Sequence, residues 1–268
     1  MKKILVPTDF SDNAFNALSY AVSLANHFDS QVTLLHTYTV SSTSGMFVSV
    51  ESFIKKDAAE QALATVKKVE PNLTTGGQID TQIIRGDTTH LIAELADKQE
   101  YDLIVMGTQG ASGLAEVFLG STTNSVIKEA QTPVLAVPEG FVYRPIQQIV
   151  FAIDDEGIAH AGVVKPLLQL AKKMQAPVRV FHQALDFDKD GIDPSVDLYL
   201  EEVEHSFHYE LDREEINDSI NSFVKDSNAD LLCMLRRPRG FLEEVFHVSA
   251  TTKEVFDSPV PLLVLKDE

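Results

Sequence analysis

From Asp102 onward the chain aligns with its own C-terminal segment without a gap, at a constant offset of 128 residues that carries Phe118 onto Phe246 and Pro133 onto Pro261. Earlier segments pair in the same order: "KKILVPTD" with "QQIVFAID", "QVTLLH" with "PVRVFH", "YDLIVM" with "ADLLCM". Chance does not preserve spacing over so long a stretch, so the chain consists of two copies of one folding unit. Its 268 residues allow two units of about 130 residues, each large enough to bury a core of its own. The copies join near "EGFVYRP", where Gly140 and Pro145 flank a short linker, which predicts domains over 1–143 and 144–268.

Within the first copy, short β-rich runs alternate with helical patterns. "KILVP" is followed by Ser11, a candidate N-cap, and by Ala14, Ala17, Leu18, Ala21, Ala25 and Phe28 at helical spacing. The pattern continues through "QVTLLHT", a helix over Val50 to Val69, "TQIIR", a helix from Asp87 to Lys98, "DLIVMG", a helix after Ser121, and "PVLAV". Val-, Ile- and Leu-rich strands separated by helices predict a parallel sheet covered on both faces. The expected fold class is therefore α/β: two tandem open parallel five-stranded sheets flanked by helices.

Charge narrows the functional classes. Against 22 Lys and Arg stand 40 Asp and Glu, a formal net charge of -18. The first copy holds 9 basic and 16 acidic residues and the second 13 and 24, so both are acidic. That balance opposes nucleic-acid binding, which requires clustered cations. No apolar run approaches the roughly 18 to 20 residues of a membrane span, and "MKKILVPTDF" lacks the form of a signal peptide. The single cysteine, Cys233, excludes a disulfide framework; it is read as a core residue of a cytoplasmic protein.

The chemistry concentrates in "MGTQGASGLAEVFLGSTTNSV", residues 106–126. In an open parallel sheet, ligands bind beyond the carboxyl ends of the strands, and Gly107 lies at such an end. Gly107 and Gly110 shape the loop leaving the fourth strand. Gly120, Ser121 and Thr122 form the N-terminus of the next helix, with Ser121 able to cap it. Glycines let backbone N–H donors approach a phosphate closely, because no Cβ intrudes. Asp9, after Pro7 and Thr8, lies across the same crevice, where its carboxylate can accept from ribose hydroxyls or assist a phosphate-bound Mg²⁺. Turn formation alone would account for the glycines equally well. The stretch matches neither the Walker A loop nor G-x-G-x-x-G.

The spacing Gly107, two residues, Gly110, nine residues, Gly120-Ser121 resembles the signature of the universal stress protein family. "ILVPTDFS", "LLH", "IIRGD", "DLIVMGTQG" and "TPVLAVP" resemble that family in the right order, over essentially all of the first copy and more loosely over the second. The resemblance implies a Rossmann-like, adenine nucleotide alpha hydrolase-like fold in a tandem member that binds ATP with Mg²⁺. It further implies that Asp9 meets ribose or metal, that Pro7 and Thr37 line the adenine pocket, and that Met106, Gly107, Gln109, Gly110, Gly120, Ser121 and Thr122 surround phosphates and ribose. The family often has His at the place of Gln109. A nucleotide-dependent stress-response or signalling role follows, with an unknown protein client and at most slow ATP hydrolysis. The rival readings are a nucleotide-free stress scaffold and an adenylating enzyme. Family members commonly pair their last strands across a twofold axis, so "PVLAV" and "PLLVL" are expected to form an intramolecular pseudo-dimer, with a homodimer of whole chains as a further option.

The second copy departs from the signature. Gly107 becomes Leu235, Gly110 becomes Pro238 and Gly120 becomes Val248, which obstructs a backbone cradle; Asp154 still matches Asp9. Because the copy folds without these glycines, ligand binding is their expected purpose in the first. Arg236, Arg237 and Arg239 are expected in a solvated loop paired with nearby carboxylates. Asp186, Asp188, Asp190, Gly191 and Asp197 trace the outline of a calcium loop, but Pro194 and the short last acid favour an ordinary acidic loop. His205 and His208 are spaced for one helix face or, loosely, for a metal; no metal site is expected.

Overall fold

The computed structural model describes residues 1–40, 47–74, 77–108, 119–184, 191–211, 216–237 and 258–267. Within them the first compact unit ends at Tyr143 and the second begins at Arg144. The first unit contains strands β1 (Lys3–Pro7), β2 (Gln31–Tyr38), β3 (Ile79–Arg85), β4 (Leu103–Gly107) and β5 (Val134–Val137). Its helices are α1 (Asp12–Phe28), α2 (Phe47–Val69), α3 (Thr88–Lys98) and α4 (Ser121–Glu129). All strands run parallel in the order β3-β2-β1-β4-β5. The order in which strands are added reverses between β1 and β4, and right-handed crossovers therefore send α1 and α2 to one face and α3 and α4 to the other.

Local chemistry sets the element ends. Ser11 caps α1, its side chain accepting the Ala14 N–H at 3.2 Å, and Asp29 ends the helix in the left-handed region at φ 54°. Asp87 caps α3 through the His90 N–H at 3.0 Å. The β1 segment Ile4, Leu5 and Val6 is fully buried, as are Ala17, Leu18, Ala21 and Leu24 on α1, so the sheet is covered where the apolar runs predicted.

The second unit repeats the topology. It comprises β6 (Ile149–Ala152), α5 (Lys165–Met174), β7 (Val178–Ala184), α6 (Ser195–Leu200), β8 (His205–Leu211), α7 (Ile216–Asp226), β9 (Leu231–Arg236) and β10 (Leu262–Lys266). The parallel order is β8-β7-β6-β9-β10, strand for strand the order of the first. One repeated device starts both sheets. Asp102, just before β4, accepts the N–H groups of Lys2 and Lys3 at 2.6 and 2.9 Å. Asp230, its counterpart, accepts those of Gln147 and Gln148 at 2.8 and 3.2 Å and pairs with Arg144 at 2.6 Å.

Cys233 is buried on β9, and burial pushes its thiol pKa upward, in keeping with a core residue. Among the described residues no helix is long and apolar enough to cross a membrane. His205 and His208 lie on a strand, not a helix; odd spacing on a strand sends the two side chains to opposite faces. His205 instead joins α6 to β8, its Nε2 2.9 Å from Asp197 and its Nδ1 2.9 Å from the Val203 carbonyl oxygen. Asp197, the last member of the calcium outline, is thus engaged with His205; Asp186, Asp188 and Asp190 lie outside the described residues.

Candidate functional site

Where the strand order reverses, the carboxyl ends of β1 and β4 open a cavity of about 260 Å³, near the lower end of the ~300–1,000 Å³ of small-molecule sites. Pro7, Thr8, Asp9, Thr37, Met106, Gly107, Gly120, Ser121 and Thr122 all line it. Gln109 and Gly110, the other two sequence-derived candidates, lie outside the described residues, as do Gly113 and Arg239.

Each lining group is held by its own element. The chain leaves β1 through Thr8, whose N–H donates to the Leu35 carbonyl at 2.8 Å and whose hydroxyl accepts the Phe10 N–H at 3.0 Å. Phe10 sits at φ 64° and stacks on His36 with ring centroids 4.5 Å apart. His36 Nδ1 lies 2.8 Å from the Thr8 carbonyl oxygen and donates to it, which fixes the tautomer and orients the ring. Asp9 accepts the Ser11 N–H at 3.0 Å and keeps an exposed carboxylate at the cavity mouth. Thr37 shares a 2.8 Å hydroxyl contact with Thr88, the first residue of α3.

The opposite wall is the junction of β4 with α4. The Gly120 N–H donates to the Thr108 carbonyl, and the Thr123 hydroxyl donates to the Gly107 carbonyl at 2.8 Å. Gly120, not Ser121, is the N-cap of α4, at φ -54° and ψ 155°; Ser121 is already helical, so its hydroxyl is not the cap. A glycine cap brings no side-chain acceptor, so the helix N-terminus faces the cavity without one.

Gly107 has a packing role beside its place in the cavity lining. A Cβ added there would lie 2.8 Å from Asn13 Cγ, so the glycine makes room for Asn13. Its small size therefore has a packing cause independent of any ligand. Sequence reasoning also missed Thr88 and Ile92, which α3 contributes to the lining. The Asp87 cap after "IIRG" is the signal for Thr88, since it places the first turn of α3 beyond a strand end.

In the second unit the expectation of a solvated arginine paired with carboxylates holds at Arg237 for the pairing and fails there for the solvation. Arg237 is buried, 7% exposed, and pairs with Asp154 and with Asp267. Two carboxylates and a carbonyl offset the cost of taking this guanidinium out of water.

An open parallel α/β sheet with a strand-end crevice fronted by a helix N-terminus is a Rossmann-like protein. A profile of the universal stress protein family matches residues 1–138. A universal stress protein of Methanocaldococcus jannaschii is 38% identical over 140 residues, 51% of this chain and 81% of that one. One of Bacillus subtilis is 32% identical over 144 residues, 50% of this chain and 97% of that one. The chain belongs to the universal stress protein family. A universal stress protein structure from Archaeoglobus fulgidus covers 99% of this chain, and this chain 96% of it, at 20% identity and TM-score 0.71, a likeness of fold.

Proposed function

We infer that the first unit binds ATP with Mg²⁺ in the crevice between β1 and β4, and that the chain acts in the cytoplasm as a nucleotide-dependent stress-response or signalling protein. The observation that carries this reading is the convergence of nine residues, from four separated sequence segments, on one cavity beside the glycine-capped N-terminus of α4. The described lining contains no Lys or Arg. A triphosphate there depends on backbone N–H donors and on a cation, and Asp9 is the lining carboxylate that suits a hard metal. Pro7, Met106 and Ile92 offer apolar surface to a base, and Asp9 and Thr37 offer acceptors to ribose hydroxyls. Bound Mg²⁺ would neutralise phosphate charge; Gly120, Ser121 and Thr122 orient the anion.

The test is the nucleotide content of protein purified without added ligand, followed by thermal shift with ATP, ADP and AMP in Mg²⁺. Copurifying ATP or an ATP-dependent rise in melting temperature is expected. Absence of both overturns the reading. Gly120→Val, the residue of the second copy at that position, is expected to abolish the rise while the protein stays folded; an unchanged response means the cradle lies elsewhere.

A further inference from the structure

The strand-end loops of the second unit are tied together through one side chain. Arg237 follows β9 and stands, at the 128-residue offset, where the first copy has Gln109. Its Nε donates to Asp267 at 2.7 Å, its Nη1 to Asp154, and its Nη2 to the Gly157 carbonyl. Glu156 lies 3.6 Å from Nη1. The same carboxylates also hold backbone: Asp154 accepts the Glu156 N–H at 3.2 Å and Asp267 the Ala159 N–H at 3.0 Å. Gly157 stands at φ 77° so close to Asp193 that a Cβ would lie 2.7 Å from it. Asp193 accepts the Ser195 N–H at 2.8 Å, and the Ser195 hydroxyl accepts the Ile158 N–H at 3.2 Å. One buried cation therefore joins the ends of β6, β9 and β10 and, through the turn at 154–159, reaches the start of α6. Burial opposes the guanidinium charge, yet Asp154 and Asp267 outweigh it and raise its pKa.

We propose that Arg237 is an internal occupant of the strand-end position that corresponds in the second unit to the first unit's crevice, taking up Asp154, the counterpart of the exposed Asp9, so that this unit is held together without nucleotide and refuses it. Its planar fork satisfies two carboxylates and a carbonyl at once, and a tethered side chain has no translational freedom to lose. Among the described residues, three carboxylates lie within 4 Å of this one guanidinium and outnumber its charge, an arrangement that disfavours a triphosphate. The proposal rests on the nucleotide reading of the first unit only for the identity of the ligand refused.

The experiment compares the full chain with Arg237→Gln, Arg237→Lys and Asp154→Asn by amide hydrogen exchange resolved by segment. Arg237→Gln is expected to speed exchange at residues 153–159 by about ten-fold or more, with β1 and β4 unchanged as the internal reference. Unchanged protection at 153–159 overturns the proposal. Should Arg237→Gln not accumulate as folded protein, Arg237→Lys, which keeps the charge without the fork, and Asp154→Asn decide it: faster exchange supports the latch and full protection in both overturns it. MgATP titration supplies the second arm. Two sites per wild-type chain, one of them lost in Asp154→Asn, overturn the proposal. No binding at all sinks the nucleotide reading of the first unit and leaves the exchange measurement to decide the latch.

Discussion

Asp9 and Asp154 end the first strand of two sheets with the same strand order, and their surroundings are opposite. Asp9 is exposed at the mouth of a cavity, while the Asp154 side chain is 16% exposed and bound to Arg237. Beyond β5, Glu139 is exposed; at the same place beyond β10, Asp267 is 5% exposed and receives Arg237 and the Ala159 N–H. The strand ends of an open parallel sheet converge loops and helix termini whose polar groups need partners. A ligand can supply them, and so can the chain's own side chains. The fold is indifferent to which, so two copies keep one topology with different strand ends.

The shared parts of the two units provide the strongest handle on this comparison. Asp102→Ala and Asp230→Ala each remove the acceptor for two backbone N–H groups, and each is expected to destabilise its unit by about 1–3 kcal/mol in denaturant unfolding. The cost at Asp230 is expected to be the larger, because its ion pair with Arg144 is lost as well. Equal effects would mean that the Arg144 pair contributes nothing. A smaller effect separates packing from ligand binding at Gly107. Gly107→Ala is expected to cost about 1–2 kcal/mol without any ligand, and Asn13→Ala in the same chain to recover part of it. Full additivity of the two substitutions would return Gly107 to a purely ligand-facing role.

The smallest effect is confined to the second unit. Burial alone would lower the pKa of His205, but the carbonyl of Val203 and the carboxylate of Asp197 outweigh it and raise it above the ordinary 6.5. Folding therefore favours the protonated ring. The stabilisation is fully present below pH ~6.5 and is lost as pH rises through the folded value. Asp197 is largely exposed, so less than about 1 kcal/mol is expected. His205→Gln should flatten this part of the stability–pH profile, and an unaltered profile would show that the clamp is inert.

Strand and helix placement was legible because it is written in local periodicity. "KILVP" became β1 residue for residue, and Ser11 and Asp87 cap the helices their positions announce. Asp9, Gly107, Gly120, Ser121 and Thr122 were legible because strand ends and glycine spacing mark one end of the sheet, whereas Pro7, Thr37 and Met106 followed from the family resemblance. Three features were not. The spacing of His205 and His208 satisfies a helix face as readily as a strand. Asn13 against Gly107 requires knowing that α1 lies over β4. Ile92, one turn further along α3 than the Thr88 that the Asp87 cap marks, reaches the cavity only through the packing of α3.

The sequence by itself determined that this chain is a doubled parallel α/β protein of the universal stress family, since repeat offset, apolar runs and signature spacing are read along the chain without knowing any contact. Tertiary structure alone decided what Arg237 does. Its carboxylate partners Asp154 and Asp267 lie 83 and 30 residues away. They meet because β9 pairs with both β6 and β10, bringing three strand ends within reach of one guanidinium. Read along the chain, "RRPRG" is a run of charge suited to water. In the folded unit Arg237 leaves that run for a buried site, because desolvation is tolerable only where opposite charges are already assembled.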